Sequence, residues 1–352
     1  MSRLIRPLAA AAALWLALPA AMQAALAAPT STFTLTGLVA VPQTYDTAGL
    51  QALPQTTQTV TFLSGSTPRT DTFTGPSLWN VLQNAGGIVV DNTTRNGVLR
   101  NYIVVTGSDG YKAVISAGEI APNFGNRPDQ VAIAAQSGSL PSPDGFARVT
   151  TPGDVRGGRY VSNVANIDVG VAPLQAGTGG GQTSSLVVQG QVATQVTFDK
   201  AALQALAAHT TTVSYLSGQT TVQNTFTGAL LWDVLAEAGI ITDPTIRNDI
   251  LRLGVIATGS DGYQVMFSLG ELSPNFGNNP VLVAYDDAAG GLAGGDGFAR
   301  LVVPGDVRGG RYVSNLVSLT VFDATAVPEP ASLALLAGGL VALGVARRRR
   351  RG

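Results

Sequence analysis

Apolar and polar side chains alternate with a period of two near the start of each half of the chain. Residues 32–39 and 185–192 therefore read as half-buried strands. Residues 60–63 and 213–216 are further β-rich runs, each ending at a Ser-Gly pair. The period then changes. Leu78, Val81, Leu82 and Ala85 share one helical face, as do Leu231, Val234, Leu235 and Ala238. Gly86 and Gly239 follow as the glycines favoured at a helix C-terminus. Residues 102–105 and 111–115 flank Ser108-Asp109-Gly110, the pattern of a β-hairpin closed by an Asp-Gly turn. A last strand is expected over 160–169 and again over 312–322. Strands dominate, with one clear helix per half, so the expected fold class is α+β, mostly β.

The parallel between the halves is a repeat. Pro-Gly-Asp-Val-Arg-Gly-Gly-Arg-Tyr-Val-Ser-Asn occupies 152–163 and, letter for letter, 304–315. Thr-Gly-Ser-Asp-Gly-Tyr recurs at Thr106 and Thr258, Pro-Asn-Phe-Gly-Asn at Pro122 and Pro274, and Asp-Gly-Phe-Ala-Arg at Asp144 and Asp296. A period of about 150 residues is far too long for a solenoid, so this is a tandem domain duplication. The expected domains span residues 30–174 and 186–325, joined by a Gly/Ser-type linker over 175–185.

Composition removes much chemistry. With no cysteine and a single histidine, His209, the chain has no disulfide, thiolate zinc site or multi-histidine metal cluster. A serine-nucleophile hydrolase fails for want of a repeated histidine. His209 has no counterpart in the first copy and reads as a loop residue. Seven of the 21 basic residues and one of the 22 acidic ones lie in the two ends, which leaves the body near −7. An acidic body with only Lys112 and Lys200 as lysines offers no basic stripe for nucleic acid.

The ends read as addresses. Residues 1–28 carry Arg3 and Arg6, an apolar run and Ala25-Leu26-Ala27, the layout of a signal peptide for Sec-type export. Residues 327–352 run Val-Pro-Glu-Pro-Ala-Ser, a short apolar segment and five arginines. As a helix the segment over 331–346 reaches about 24 Å, short of a comfortable membrane span, and the arginines keep the body outside. These three parts in order resemble the PEP-CTERM sorting signal. The resemblance implies an exosortase that recognises Pro328-Glu329-Pro330 and removes the tail after transient membrane insertion. It also implies export from a Gram-negative cell, with the body tethered to the inner membrane before processing and at the cell surface or outside afterwards.

Within the body several repeated residues invite a chemical role, and each has a structural reading beside it. Asp109 and Asp261 fit hairpin turns better than acids. Glu119 and Glu271 could be general acid–base groups, but Ser116 and Ser268 stand three residues before them at capping-box spacing. Trp79 and Trp232 fit the packed face of the helix, and the Asn-Phe-Gly-Asn loops present an aromatic as a sugar platform or a plug. The loops at 152–163 and 304–315 carry the best signal. Arg156, Gly158 and Arg159, with Arg308, Gly310 and Arg311, place guanidinium groups beside glycine backbone and suit phosphate or carboxylate. The alternative is that Asp154 and Asp306 pair with these arginines and stiffen the loops.

The order of each copy resembles the molybdopterin-binding domain of sulfite-oxidase-type oxidoreductases. It runs from the Thr-Phe-Thr-Gly and Leu-Trp helix segment through Ser-Asp-Gly-Tyr and Asp-Gly-Phe-Ala-Arg to Gly-Arg-Tyr-Val. In that family a cysteine thiolate binds molybdenum and a Gly-Arg-rich loop holds the pterin phosphate. The loop is present at Gly158-Arg159-Tyr160-Val161 and Gly310-Arg311-Tyr312-Val313. The cysteine region instead reads Phe62-Leu63-Ser64-Gly65 and Tyr215-Leu216-Ser217-Gly218, and a serine hydroxyl is a poor substitute for a thiolate on that metal. The expected protein is an exported envelope or matrix protein with two degenerate, non-catalytic binding modules and no cofactor. Its expected partners are an exopolysaccharide or an anionic small ligand, and nucleic acid is excluded. The competing expectation is an oxidoreductase, or its subunit, retaining molybdopterin without the cysteine.

Overall fold

The computed structural model describes residues 29–141 and 144–326. The signal-peptide and sorting-tail assignments, including Pro328, Glu329 and Pro330, lie outside the described residues. Each repeat builds a five-stranded sheet. In the first the order is Gln43–Tyr45, Phe33–Gly37, Val164–Val171, Asn101–Gly107 and Lys112–Ser116. Phe33–Gly37 pairs parallel with Val164–Val171, so the beginning and end of the repeat close on each other. The second repeat follows the same order with Val196–Phe198, Leu186–Gly190, Leu316–Asp323, Leu253–Gly259 and Gln264–Ser268.

A long hairpin forms a second layer. Gln55–Ser64 pairs with Thr67–Pro76, and His209–Ser217 with Thr220–Leu230. Alternation explains its placement. Val60, Phe62 and Phe73 are buried, while the other face carries threonine hydroxyls that pair across the strands at 2.8–2.9 Å: Thr57 with Thr74, Thr59 with Thr72, Thr61 with Thr70. His209 therefore begins a strand and is exposed there, which corrects its reading as a loop residue. Thr-Phe-Thr-Gly likewise belongs to the hairpin. The helix Leu78–Asn84 starts only after Ser77, whose hydroxyl accepts from the Asn80 N–H at 3.1 Å. Leu78, Val81, Leu82 and Ala85 are all fully buried, as the spacing required.

The last strand begins later than its sequence suggests. Gly157–Arg159 forms a single 3₁₀ turn and Asn163 adopts φ 52°, a left-handed conformation that ends the turn before Val164. Asn315 repeats this at φ 50°.

The repeats pack against each other with twofold pseudosymmetry. Val104 and Val114 meet Ile256 and Met266 between the two sheets. Phe124 and Leu99 belong to the apolar core of the second repeat, and Phe276 and Leu251 to that of the first. Matched polar bonds cross as well. Val155 N–H donates to the Phe276 carbonyl and Val307 N–H to that of Phe124, both at 2.8 Å. Asn248 donates to the Tyr111 hydroxyl and Asn96 to that of Tyr263, both at 2.9 Å. Such reciprocity is the geometry of an isologous dimer written in one chain. The connecting segment is held down rather than free. Thr178 and Gly180 N–H groups both donate to the Ser260 carbonyl, at 2.9 and 2.8 Å.

Candidate functional site

Arg159 and Arg311, the arginines expected to meet an anion, are among the most deeply buried side chains, at 0% and 1% exposure. Arg159 Nε and Nη2 donate to the two Asp154 oxygens at 2.8 and 2.6 Å, and Nη1 donates to both Glu119 oxygens at 2.8 and 2.9 Å. Arg311 repeats the arrangement with Asp306 at 2.8 and 2.5 Å and Glu271 at 2.5 Å. Burial disfavours each guanidinium's charge, but the flanking carboxylates outweigh it and hold both arginines above the ordinary range. With Nε and both Nη atoms engaged and no solvent access, neither side chain faces a ligand. Asp154 and Asp306 do pair with these arginines.

The same networks account for the glutamates. Ser116 Oγ accepts from Glu119 N–H at 3.1 Å and Ser268 Oγ from Glu271 N–H at 3.0 Å, which is the cap half of the capping box. The carboxylates turn away from the cap toward the arginines. Glu271 also crosses the repeat boundary, where Ser116 Oγ donates to it at 3.0 Å. Burial raises Glu119; Glu271, also buried, is pulled below its usual value by Arg311 and Asn279.

Gly158 and Gly310 also differ from expectation. A Cβ on Gly158 would collide with the ring of Phe276, and one on Gly310 with the ring of Phe124. Their bareness admits an aromatic ring from the opposite repeat. Asp109 and Asp261 close the hairpins as expected, each accepting from the tyrosine N–H two residues on at 3.0 Å. Trp79 and Trp232 are partly buried against the cores.

An open cleft lies in front of this structure, between the hairpin of the first repeat and the edge of the second. Its volume is about 660 Å³, and Arg69, Arg148, Arg156 and Arg247 line it together with the Gly157-Gly158 backbone. Arg156 comes from the expected site and bonds the Gly65 carbonyl at 2.7 Å through Nη1 alone. Arg247 is supplied by the second repeat and stands 5.8 Å from the Tyr111 ring centroid. Arg148 is tied to Asp144 at 2.9 Å. Arg69 is half exposed and only loosely paired, 3.7 Å from Asp71. Asp109 is the single carboxylate on the wall. The cleft is thus a cationic pocket in an acidic body, where low-dielectric walls concentrate the field. Of the four, Arg156 alone lies in the loop at 152–163. Arg247 has a repeat mate in Arg95, but Arg69 is matched by Val222 and carries no motif.

The corresponding cavity at the second repeat, about 570 Å³, is lined by Gly309 and Gly310 but not by Arg308, and Arg95 is its one arginine. Arg308 bonds the Gly218 carbonyl at 2.9 Å, as Arg156 does that of Gly65.

The residues in the first cleft do not fit a molybdenum-bearing pterin. Leu63, Ser64 and Gly65 lie on its wall where the family resemblance would put the thiolate, so the soft ligand is replaced by a hydroxyl. The loop arginine that would meet the pterin phosphate is consumed by Asp154 and Glu119. Among the described residues no group of three or more His, Cys, Asp or Glu side chains is placed to hold a metal ion.

Comparison with known proteins finds a sorting motif in the tail. Residues 326–351 match the PEP-CTERM protein-sorting motif, which marks the chain for secretion and sorting to the cell envelope with an exosortase as processing partner. None of the curated proteins matches the chain. Among solved structures it is similar to the sulfane dehydrogenase SoxCD of Paracoccus pantotrophus. The identity is 13%, over 81% of this chain and 77% of that one, with a TM-score of 0.32. No helix among the described residues is long and apolar enough to cross a membrane.

Proposed function

We propose that this exported protein is a non-catalytic binding protein whose two repeats form one body, and that an anionic ligand occupies the cleft of the first repeat. The supporting observation is the convergence of Arg69, Arg148, Arg156 and Arg247 on a single cleft of an otherwise acidic molecule. Guanidinium forks beside exposed backbone suit carboxylate, sulfate or phosphate. The body carries no molybdenum cofactor on this reading, because the cleft lacks the thiolate and its loop arginine is internal. After exosortase processing the body acts at the cell surface or outside it.

The test is calorimetric titration of the mature body, residues 29–326, with inorganic pyrophosphate. Binding that Arg156→Ala with Arg247→Ala lowers about tenfold or more supports the assignment. Unchanged binding by that folded double variant removes it. The same protein, exported from a host that makes the molybdenum cofactor, is expected to carry background molybdenum only.

A further inference from the structure

The cationic cleft does not end at its own walls. On one side it shares Arg69 and Arg148 with a second cavity, of about 510 Å³, where Asp71 and Asp144 stand beside those arginines and Thr70, Thr72 and Gln136 complete the wall. On the other side it shares Asp109, Tyr111 and Arg247 with a third, of about 390 Å³, bounded by Lys112 and Arg252. The three adjoin through these shared residues as one run of surface. A compact anion fills only the middle of it. Positive charge continues on one side, where Lys112 extends the wall beyond Arg247, while on the other Asp71 and Asp144 offset the arginines.

The second repeat differs here. Val222 stands where the first repeat has Arg69, and Gln264 where it has Lys112. The segment between the repeats also lies across the second cavity. Ser260 Oγ donates to the Gly181 carbonyl at 2.7 Å, and Gly181 itself forms part of the cavity wall. The duplication thus presents two unlike cavities, the first with four arginines on its wall and the second with one.

Taking the cleft as an anion site, as above, we propose that its ligand is a linear acidic glycan that runs from the cleft into the third cavity, one chain per protein molecule. The surfaces favour a sugar chain over single-stranded nucleic acid. Stacking of bases requires free aromatic faces, and the rings here are committed: Tyr160 stacks on Phe62 at 4.4 Å and Arg247 covers Tyr111. Ser64 and Asn275 instead offer exposed hydroxyl and amide groups suited to sugar hydroxyls.

Titration of the mature body with galacturonate oligomers of increasing length tests this, with single-stranded DNA of matching charge as the comparison. The expected result is one oligomer per protein, with affinity that rises with length and then levels off. Lys112→Ala should lower affinity for the long oligomer about two- to fivefold, and more than for the dimer, while Arg308→Ala should match the wild type. Length-independent affinity, two oligomers per protein, or equally tight DNA binding would each overturn the inference. Pyrophosphate binding without any gain from longer oligomers overturns this inference alone. Failure of pyrophosphate and every oligomer to bind overturns the anion site itself.

Discussion

Arg159 of the first repeat lays its aliphatic stem against the bare Cα of Gly270 in the second. A Cβ there would stand 2.7 Å from Arg159 Cδ. Arg311 and Gly118 form the reciprocal contact, at 2.9 Å. Each arginine is fixed at its far end by two carboxylates of its own repeat, so it cannot swing aside to admit a methyl group. Gly270→Ala and Gly118→Ala should therefore each destabilise the protein by about 1–3 kcal/mol, the usual range for overpacking. Chemical denaturation of the mature body would show it as a lower midpoint at unchanged slope. A midpoint equal to that of the wild type would mean that the arginines can relocate.

The two arginines of one loop, three residues apart, should separate stability from binding. Arg159 neutralises Asp154 and Glu119 out of solvent, and its removal leaves the two buried carboxylates only Arg127 as a cationic partner. Arg159→Ala is expected to cost about 3–5 kcal/mol. Arg156 is partly exposed and holds only the Gly65 carbonyl, so Arg156→Ala should cost less than about 1 kcal/mol while weakening anion binding. Measuring the denaturation midpoint and pyrophosphate affinity of both variants checks the division. A large stability loss in Arg156→Ala would contradict it.

Both repeats should unfold together. Phe124 and Phe276 each sit in the core of the opposite repeat, and Val155 and Val307 are tied by backbone bonds across the boundary. Scanning calorimetry of the mature body should give one transition whose calorimetric and van't Hoff enthalpies agree. Phe276→Ala should lower its midpoint, because deleting a buried aromatic costs about 3–5 kcal/mol. Two resolved transitions in the unaltered body would show that the repeats are independent.

Sequence and structure agree where the determinant is local. The helix face of Leu78, Val81 and Leu82, the Asp109-Gly110 turn and the parallel reading of the two halves follow from periodicity and turn chemistry, which nearby residues decide. Thr67–Pro76 was not expected as a strand because Pro68, Arg69 and Asp71 interrupt its apolar pattern; it forms by pairing with Gln55–Ser64 over ten registered positions. The short helices Thr47–Gln51 and Lys200–Gln204 were likewise absent from the reading. Only the caps at Asp46 and Asp199 mark them. The site was half legible. A Gly-Arg loop announces anion chemistry, yet whether an arginine faces solvent or a carboxylate depends on Glu119, forty residues upstream. Arg247 enters the cleft only because the second repeat docks there, a fact that no single repeat encodes.

One buried acid distinguishes the interiors of the repeats and sets the last prediction. Gln130 and Thr150 lie opposite each other in the first repeat, where the second pairs Leu282 with Val302. Beside them Asp129, matched by Val281, is 1% exposed, and neither of its oxygens has a protein hydrogen-bond partner. Burial first, and then the neighbouring Glu119 charge, push its carboxyl well above the usual range, against the pull of Arg159 and Arg127. Folding therefore favours the neutral acid. Stability linked to this group is whole below its unfolded value of about 4 and declines as pH rises toward the raised native value. Asp129→Asn removes the titration. The variant should match the wild type near pH 4 and become more stable by about 1–3 kcal/mol toward neutrality, read from denaturation midpoints across that range. A stability difference that stays constant with pH would show that Asp129 is ionised in the native state, held by Arg127 and Arg159.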